Sequence, residues 1–279
     1  MNIMNKYIKE TEAVSLFLSF FKNLTESDIK VIEKIKEGFT NKCYYFETTK
    51  NKKYLVRIGN KKVSRINEKI FIDLTKNKDY LYYDSSSGNA IKKWIKGYNP
   101  SVEECRLDKN FHRICKVIKS FQKVPFQKIS RMSTKNYYEF LDVAKIEQKY
   151  KDKYIEIIEK HKNDKMVLSH NDIRPSNILI CKNSIKLIDF EWSTLNFEYW
   201  DLANFMREID YPLEEIGNVI NENFKTFDPL TLKDFLFATT CYALQWTYFI
   251  VEETNSLLEY RKNVLNLLNK YYAEFYENY

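Results

Sequence analysis

His170, Asp172 and Asn177 fall within one stretch, LSHNDIRPSNILI, and Asp189 closes the apolar run that follows, IKLIDF. NILI and IKLIDF read as strands, with CKNS between them as a hairpin turn. Counting outward from Asn183, both Asn177 and Asp189 are six residues away, so pairing the strands brings an amide and a carboxylate together at the open end. Their oxygens are hard ligands, of the kind that holds Mg2+ jointly with phosphate oxygens rather than in an all-protein cage. Asp172 lies five residues before Asn177, across the turn at Pro175, which aims its carboxylate into the same space. There a carboxylate can orient an attacking hydroxyl and accept its proton. The competing reading is a hairpin whose polar ends only cap its turns, and four such residues in register argue against it. His170 reads as a packing residue that hydrogen-bonds the backbone beneath Asp172. Arg174 reads equally as a phosphate contact or a solvent-facing cation.

The elements that must position these residues divide the chain near residue 96. Before it, IKVIEKIKEGFTNKCYYFETTKNKKYLVRIG holds β-branched and aromatic residues broken by EGFTN and TKNKK, which predicts three antiparallel strands. SRINEKIFIDLTK has helical spacing at Ile66, Ile70, Phe71 and Leu74, and DYLYYDSSSGNAIKKWI predicts a second hairpin around SSSG. KGYNPS then supplies linker punctuation. Beyond it, helices are expected over SVEECRLDKNFHRICKVIKSFQ, over residues 135–162 and over nearly everything after Asp201. The expected organisation is α+β: an N-terminal lobe, 1–96, with a helix and a small antiparallel sheet, and a mostly helical C-terminal lobe, 97–279.

Composition narrows the function classes. A net charge of +7 comes from 45 Lys and Arg spread along the chain among 38 acidic residues, which reads as a solvated surface and not a nucleic-acid footprint. Five widely spaced Cys without a CxxC pair read as buried thiols in a reducing cytoplasm, and three His without HExxH argue against zinc. AVSLFLSFF follows Lys9, Glu10 and Glu12 and precedes no small-residue cleavage site, so an amphipathic helix is expected there instead of a signal segment. FLFATTCYALQWTYFIV is uncharged over 235–251 but interrupted by Thr239, Thr240, Gln245 and Thr247, which predicts a buried helix and no membrane span. No GxGxxG or Walker A can be drawn from the five Gly, against Rossmann and P-loop architectures.

HxDxxxxN followed by DF is the spacing of kinase-like phosphotransferases. HNDIRPSNILI and LIDFEWSTLNFEYWDLANFMRE together resemble the choline and ethanolamine kinases, especially the bacterial choline kinases, within the aminoglycoside phosphotransferase-like group. The resemblance spans about residues 30–250 and is most specific over 168–208. It implies a two-lobed protein-kinase-like fold with ATP and Mg2+ as cofactors, Asp172 as catalytic base, and Asn177 and Asp189 as metal ligands. It also implies that EGFTNKCYYF is a phosphate loop in which Thr40 and Asn41 approach ATP. Arg57 would be the basic residue of the third strand, held by Glu68, a pairing that charge complementarity supports. KKWIKG would be the hinge, with Trp94 and Ile95 beside adenine.

A quaternary ammonium has no N–H to donate, so aromatic faces and a carboxylate must recognise it. Trp192, Tyr211 and Trp246 are candidate rings, with Glu191 and Glu208 as candidate charges, while Trp200 reads as core. Glu208 and Trp246 match pocket positions of the family, although Ala243 stands where many eukaryotic members have a second Trp. Trp246 also lies on an apolar stripe with Leu232, Phe235 and Phe249, so a core role stays open. The activity implied is transfer of a phosphoryl group from ATP to a small amino alcohol, choline first. Ethanolamine, thiamine or an aminoglycoside are alternative acceptors, and a catalytically silent binding protein on the same scaffold is the non-enzymatic alternative. Oligomeric state is not legible.

Overall fold

The computed structural model describes residues 11–35, 41–60, 65–224, 226–250 and 253–277. The chain forms two compact units, 1–96 and 97–279. In the first, strands β1 (Ile29–Ile35), β2 (Lys42–Thr48), β3 (Lys53–Ile58), β4 (Tyr80–Tyr83) and β5 (Ala90–Lys93) make one antiparallel sheet in the order β1-β2-β3-β5-β4. Alternation along β2 sends Tyr44 and Phe46 inward, where they meet Phe17 and Val14 of the Thr11–Phe20 helix. Phe17 is fully buried, with its ring centroid 4.8 Å from Phe46 and 5.3 Å from Tyr54. The amphipathic helix expected over AVSLFLSFF is thus the one that packs on the sheet. A second helix, Ile66–Thr75, ends on Lys76 in the left-handed region (φ 48°) and carries Glu68 fully buried.

The second unit contains two small antiparallel sheets, β6 (Met166–Ser169) with β9 (Thr194–Phe197) and β7 (Ile178–Ile180) with β8 (Ile185–Leu187). Helices make up most of the rest. Pro229–Phe249 is the buried one, started by Pro229 after Asp228, whose carboxylate accepts from Thr231 N at 2.7 Å. Leu232, Phe235, Leu236, Phe237, Ala238, Cys241 and Leu244 on it are fully buried, each large one contributing about 1.5–3 kcal/mol. Among the described residues no helix is long and apolar enough to cross a membrane. Cys105, Cys115 and Cys241 are buried, whereas Cys43 and Cys181 are only half-buried.

Two expected helices differ. The 101–122 pattern splits into Val102–Arg106 and Asp108–Gln122, because Leu107 between them is extended (φ −60°, ψ 127°). Of 135–162, only Gln148–His161 is α-helical. The preceding stretch instead runs beside β9, with Lys135 N donating to Leu195 O at 2.9 Å and Tyr137 Oη to Asn196 Oδ1 at 2.8 Å. Tertiary bonds there override the helical spacing.

Because Phe17 joins helix to sheet, Phe17→Ala should destabilise the protein by about 3–5 kcal/mol. Urea unfolding followed by circular dichroism checks this, and an unchanged midpoint would contradict the packing described.

Candidate functional site

β6 ends at Ser169, and the chain reverses through Asn171, whose φ of 67° lies in the left-handed region that Asn tolerates better than most residues. The helix Trp200–Glu208 holds this reversal. Asp201 Oδ2 accepts from His170 N and Oδ1 from Asn171 N, both at 2.8 Å, and Asn204 Oδ1 accepts from Ile173 N at 2.7 Å. Burial pushes the Asp201 carboxyl up to about 6, against the pull of the two N–H groups. Asn171 in turn donates Nδ2 to Trp192 O at 2.8 Å and to Thr194 Oγ1 at 2.7 Å, and accepts from Asn196 Nδ2 at 2.6 Å.

His170 is fully buried, with Nε2 3.0 Å from Ile188 O and Nδ1 accepting from Asp172 N at 3.3 Å. That pair of bonds suits a neutral ring protonated on Nε2. Burial lowers its pKa to about 4. The packing role expected of His170 is the one its contacts describe.

The hairpin register differs by one residue from the sequence count. Ile180 pairs with Ile185 and Ile178 with Leu187, so the turn centres between Lys182 and Asn183 and Asn177 faces Ile188, whose N donates to Asn177 O at 3.0 Å. Asp189 lies one residue beyond, and its φ of 66° turns the chain there. Asn177 Nδ2 donates to Asp172 Oδ2 at 2.7 Å and to Asp172 O at 2.9 Å, which commits its nitrogen and turns its amide oxygen the other way.

Burial raises the pKa of Asp172, while the Arg174 guanidinium opposes that shift. Arg174 Nε lies 3.5 Å from Asp172 Oδ2, so it faces the carboxylate and not only solvent. Asp189 is among the negative charges felt by Arg174, as are Asp172 and Glu208. Glu208 Oε1 accepts from Tyr260 Oη at 2.8 Å and lies 2.7 Å from Arg207 Nη1, so one oxygen takes both partners. Trp192, Trp246, Glu191 and Tyr211 are half-buried. Tyr211 rests on Phe111, ring centroids 4.5 Å apart. Trp200 is core, packed on Tyr137, Phe235 and Tyr242.

In the first unit, Arg57 Nη1 lies 2.8 Å from Glu68 Oε1, so the expected pair forms, and Tyr83 Oη adds a hydrogen bond to Oε2 at 2.9 Å. Burial raises and Arg57 lowers the Glu68 carboxyl, which ends below its ordinary value. Asn41 Oδ1 accepts from Arg65 Nη2 at 2.7 Å. Thr40 lies outside the described residues. Trp94 is exposed at the end of β5 with its ring edge-on to Tyr45 at 4.8 Å, and Ile95 is half-buried.

Sequence reasoning missed Asp201, Asn204, Arg65 and Lys135. The first two had a signal: polar residues three apart, followed by Glu208, on one face of the helix. Lys135 had none. It is buried, donates Nζ to Tyr242 Oη at 2.8 Å, and is lowered to about 8 by that burial.

A sheet-bearing unit with a buried Arg–Glu pair, and a helical unit with Asp172, Asn177 and Asp189 on a loop and hairpin, define a protein-kinase-like phosphotransferase fold. The family model described as choline/ethanolamine kinase matches residues 32–229, and the chain belongs to that family. The Mycoplasma pneumoniae protein named "Uncharacterized protein MG356 homolog" is 29% identical over 266 residues, covering 92% of this chain and 91% of its own. Among solved structures, choline kinase LicA from Streptococcus pneumoniae superposes with a TM-score of 0.72 at 16% identity, covering 93% of this chain and 99% of LicA. An ethanolamine kinase from Plasmodium vivax superposes with a TM-score of 0.71 at 18% identity, covering 96% and 95%. LicA has also been solved in complex with AMP.

The buried neutral His170 makes a pH prediction. Its folded pKa of about 4 lies below the ordinary 6.5, so as pH falls through that interval the unfolded chain binds a proton that the folded one refuses, and stability falls. Asp201, with its raised pKa, acts in the opposite direction in the same range, so the comparison must isolate the ring. Between pH 7 and pH 4 the wild type should lose about 3 kcal/mol more than His170→Gln, read from urea midpoints. Parallel pH profiles would contradict the neutral buried imidazole.

Proposed function

We propose that this small-molecule kinase transfers the γ-phosphoryl group of Mg·ATP to the hydroxyl of a small amino alcohol, choline first. Residues 1–96 bind the nucleotide and 97–279 carry the chemistry and the acceptor pocket. The observation that carries this reading is the bond from Asn177 Nδ2 to Asp172 Oδ2 at 2.7 Å. It fixes the base beside an amide whose remaining oxygen, together with the Asp189 carboxylate, suits a hard cation held jointly with phosphates. Bound Mg2+ supplies neutralisation of charge on the transferring phosphoryl group.

Asp172 orients the acceptor hydroxyl and takes its proton as the oxygen bonds to phosphorus and ADP leaves. Arg174 Nε is buried and makes no hydrogen bond, so a phosphate oxygen can satisfy it. Arg57, gripped by Glu68, is the cation of the nucleotide-binding unit, with Thr40 and Asn41 as its phosphate contacts and Trp94 and Ile95 as its contacts to the base. Free buried thiols such as Cys115 and Cys241 support a reducing cytoplasm.

For the acceptor, Glu208 offers its Oε2 to the ammonium while Oε1 takes Tyr260 and Arg207, and Trp192, Trp246, Glu191 and Tyr211 complete the pocket. One observation favours ethanolamine as the second reading. Arg207 offsets the charge of Glu208, which weakens a purely electrostatic grip on a trimethylammonium, whereas a primary ammonium can still donate a hydrogen bond to Oε2.

The test is Mg·ATP consumption measured with choline, ethanolamine, thiamine and kanamycin, for wild type and Asp172→Asn. The wild type should turn over choline with the highest kcat/KM, and the variant should lose about 10²–10⁴-fold in kcat while binding ATP normally. A preference for ethanolamine would retain the kinase and replace its acceptor. Undiminished turnover in the variant would remove Asp172 from the chemistry.

A further inference from the structure

The buried carboxylate of Glu68 has a second arginine, which the Arg57 pairing does not require. Arg65 is 1% exposed and sits one turn before Glu68, at the N-terminus of the Ile66–Thr75 helix. Its Nη1 lies 3.3 Å from Glu68 Oε2, while Nη2 donates to Asn41 Oδ1 at 2.7 Å. One guanidinium therefore ties two distant points of the chain: residue 41, immediately before β2, and the helix that carries Glu68. The other oxygen of Glu68 meets Arg57 at 2.8 Å.

The surroundings are shaped around this side chain. Gly88, at φ 76°, lies against it: a Cβ there would stand 2.8 Å from Arg65 Nε, so the SSSG turn requires glycine for both conformation and space. The carbonyl of the same glycine accepts from Arg57 Nε at 2.9 Å. A Cβ on Gly59 would strike Ser87 O at 2.3 Å, so the turn is also pressed onto the end of β3. Tyr83 Oη donates to Glu68. The end of β3, the helix, the β4–β5 turn and residue 41 thus meet at one carboxylate and two guanidiniums.

We propose that Arg65 is a positioning residue for the nucleotide phosphates: it bridges Glu68 to Asn41 and so couples the amide of Asn41 to the Arg57–Glu68 pair. The inference rests on reading this unit as the nucleotide-binding one. Held by its oxygen, the amide of Asn41 has one fixed orientation immediately before β2. The bridge needs a planar fork. Lysine keeps the charge but is a single point that cannot hold Asn41 and Glu68 together.

The test uses the full chain with Arg65→Lys, Asn41→Ala and the double variant, measuring KM for ATP, KM for the acceptor, kcat and Tm. Arg65→Lys should raise KM for ATP about tenfold, with kcat and acceptor KM within about twofold of wild type. Asn41→Ala should do the same, and the double variant should be no worse than either, because both break one bridge. Unchanged KM for ATP in Arg65→Lys, additive losses in the double variant, or equal loss for ATP and acceptor with a lower Tm would each overturn the proposal. Direct titration of the wild type with ATP separates the two claims. Binding by the wild type with an unaltered Arg65→Lys sinks the bridge alone, whereas no binding by the wild type sinks the nucleotide reading and the bridge with it.

Discussion

The arrangement in the second unit depends on one buried carboxylate accepting two consecutive backbone N–H groups. Asp201 takes His170 N and Asn171 N at 2.8 Å each, and Asn204, on the same helix face, takes Ile173 N. Bonds of this kind between a charged acceptor and backbone donors are each stronger than neutral ones. Here they hold a reversal that includes a left-handed Asn171. A backbone in that region costs about 1–3 kcal/mol where it is not over-determined, and Asn171 is held through its backbone, its amide nitrogen and its amide oxygen.

From that anchor the rest follows outward. The neutral His170 ring joins Asp172 N to Ile188 O, so loop and hairpin are fastened through one imidazole. Asn177 then reaches back to Asp172, and the second left-handed residue, Asp189, stands one position past the Asn177–Ile188 pairing. The same helix that braces the loop ends in Arg207 and Glu208, which engage Tyr260 from Asn255–Tyr272. The loop and Glu208 are therefore positioned by one helix.

Much of this was legible in the sequence because it depends on local alternation and turn chemistry. The hairpin, the five-stranded sheet and the buried Pro229–Phe249 helix all carried such signals. The count from Asn183 missed the register by one, because turn residues alone do not say whether the loop has three residues, centred on Asn183, or two, centred between it and Lys182. Residues 135–147 had helical spacing, yet Lys135 and Tyr137 found partners on β9 that no local pattern announces. Arg65 and Lys135 were illegible for a related reason. A cation in a Lys-rich chain reads as surface until a distant carboxylate, amide or hydroxyl is seen to bury it.

The measurement that bears most directly on this account is the kcat of Asp201→Asn, with ATP affinity and circular dichroism as controls. An amide in place of the carboxylate can accept one of the two N–H groups but turns its own N–H toward the other. The account predicts a fall in kcat of about 10²-fold with ATP affinity within about twofold and the fold retained. A folded variant with wild-type kcat would show that the loop holds Asp172 without Asp201, and would contradict it.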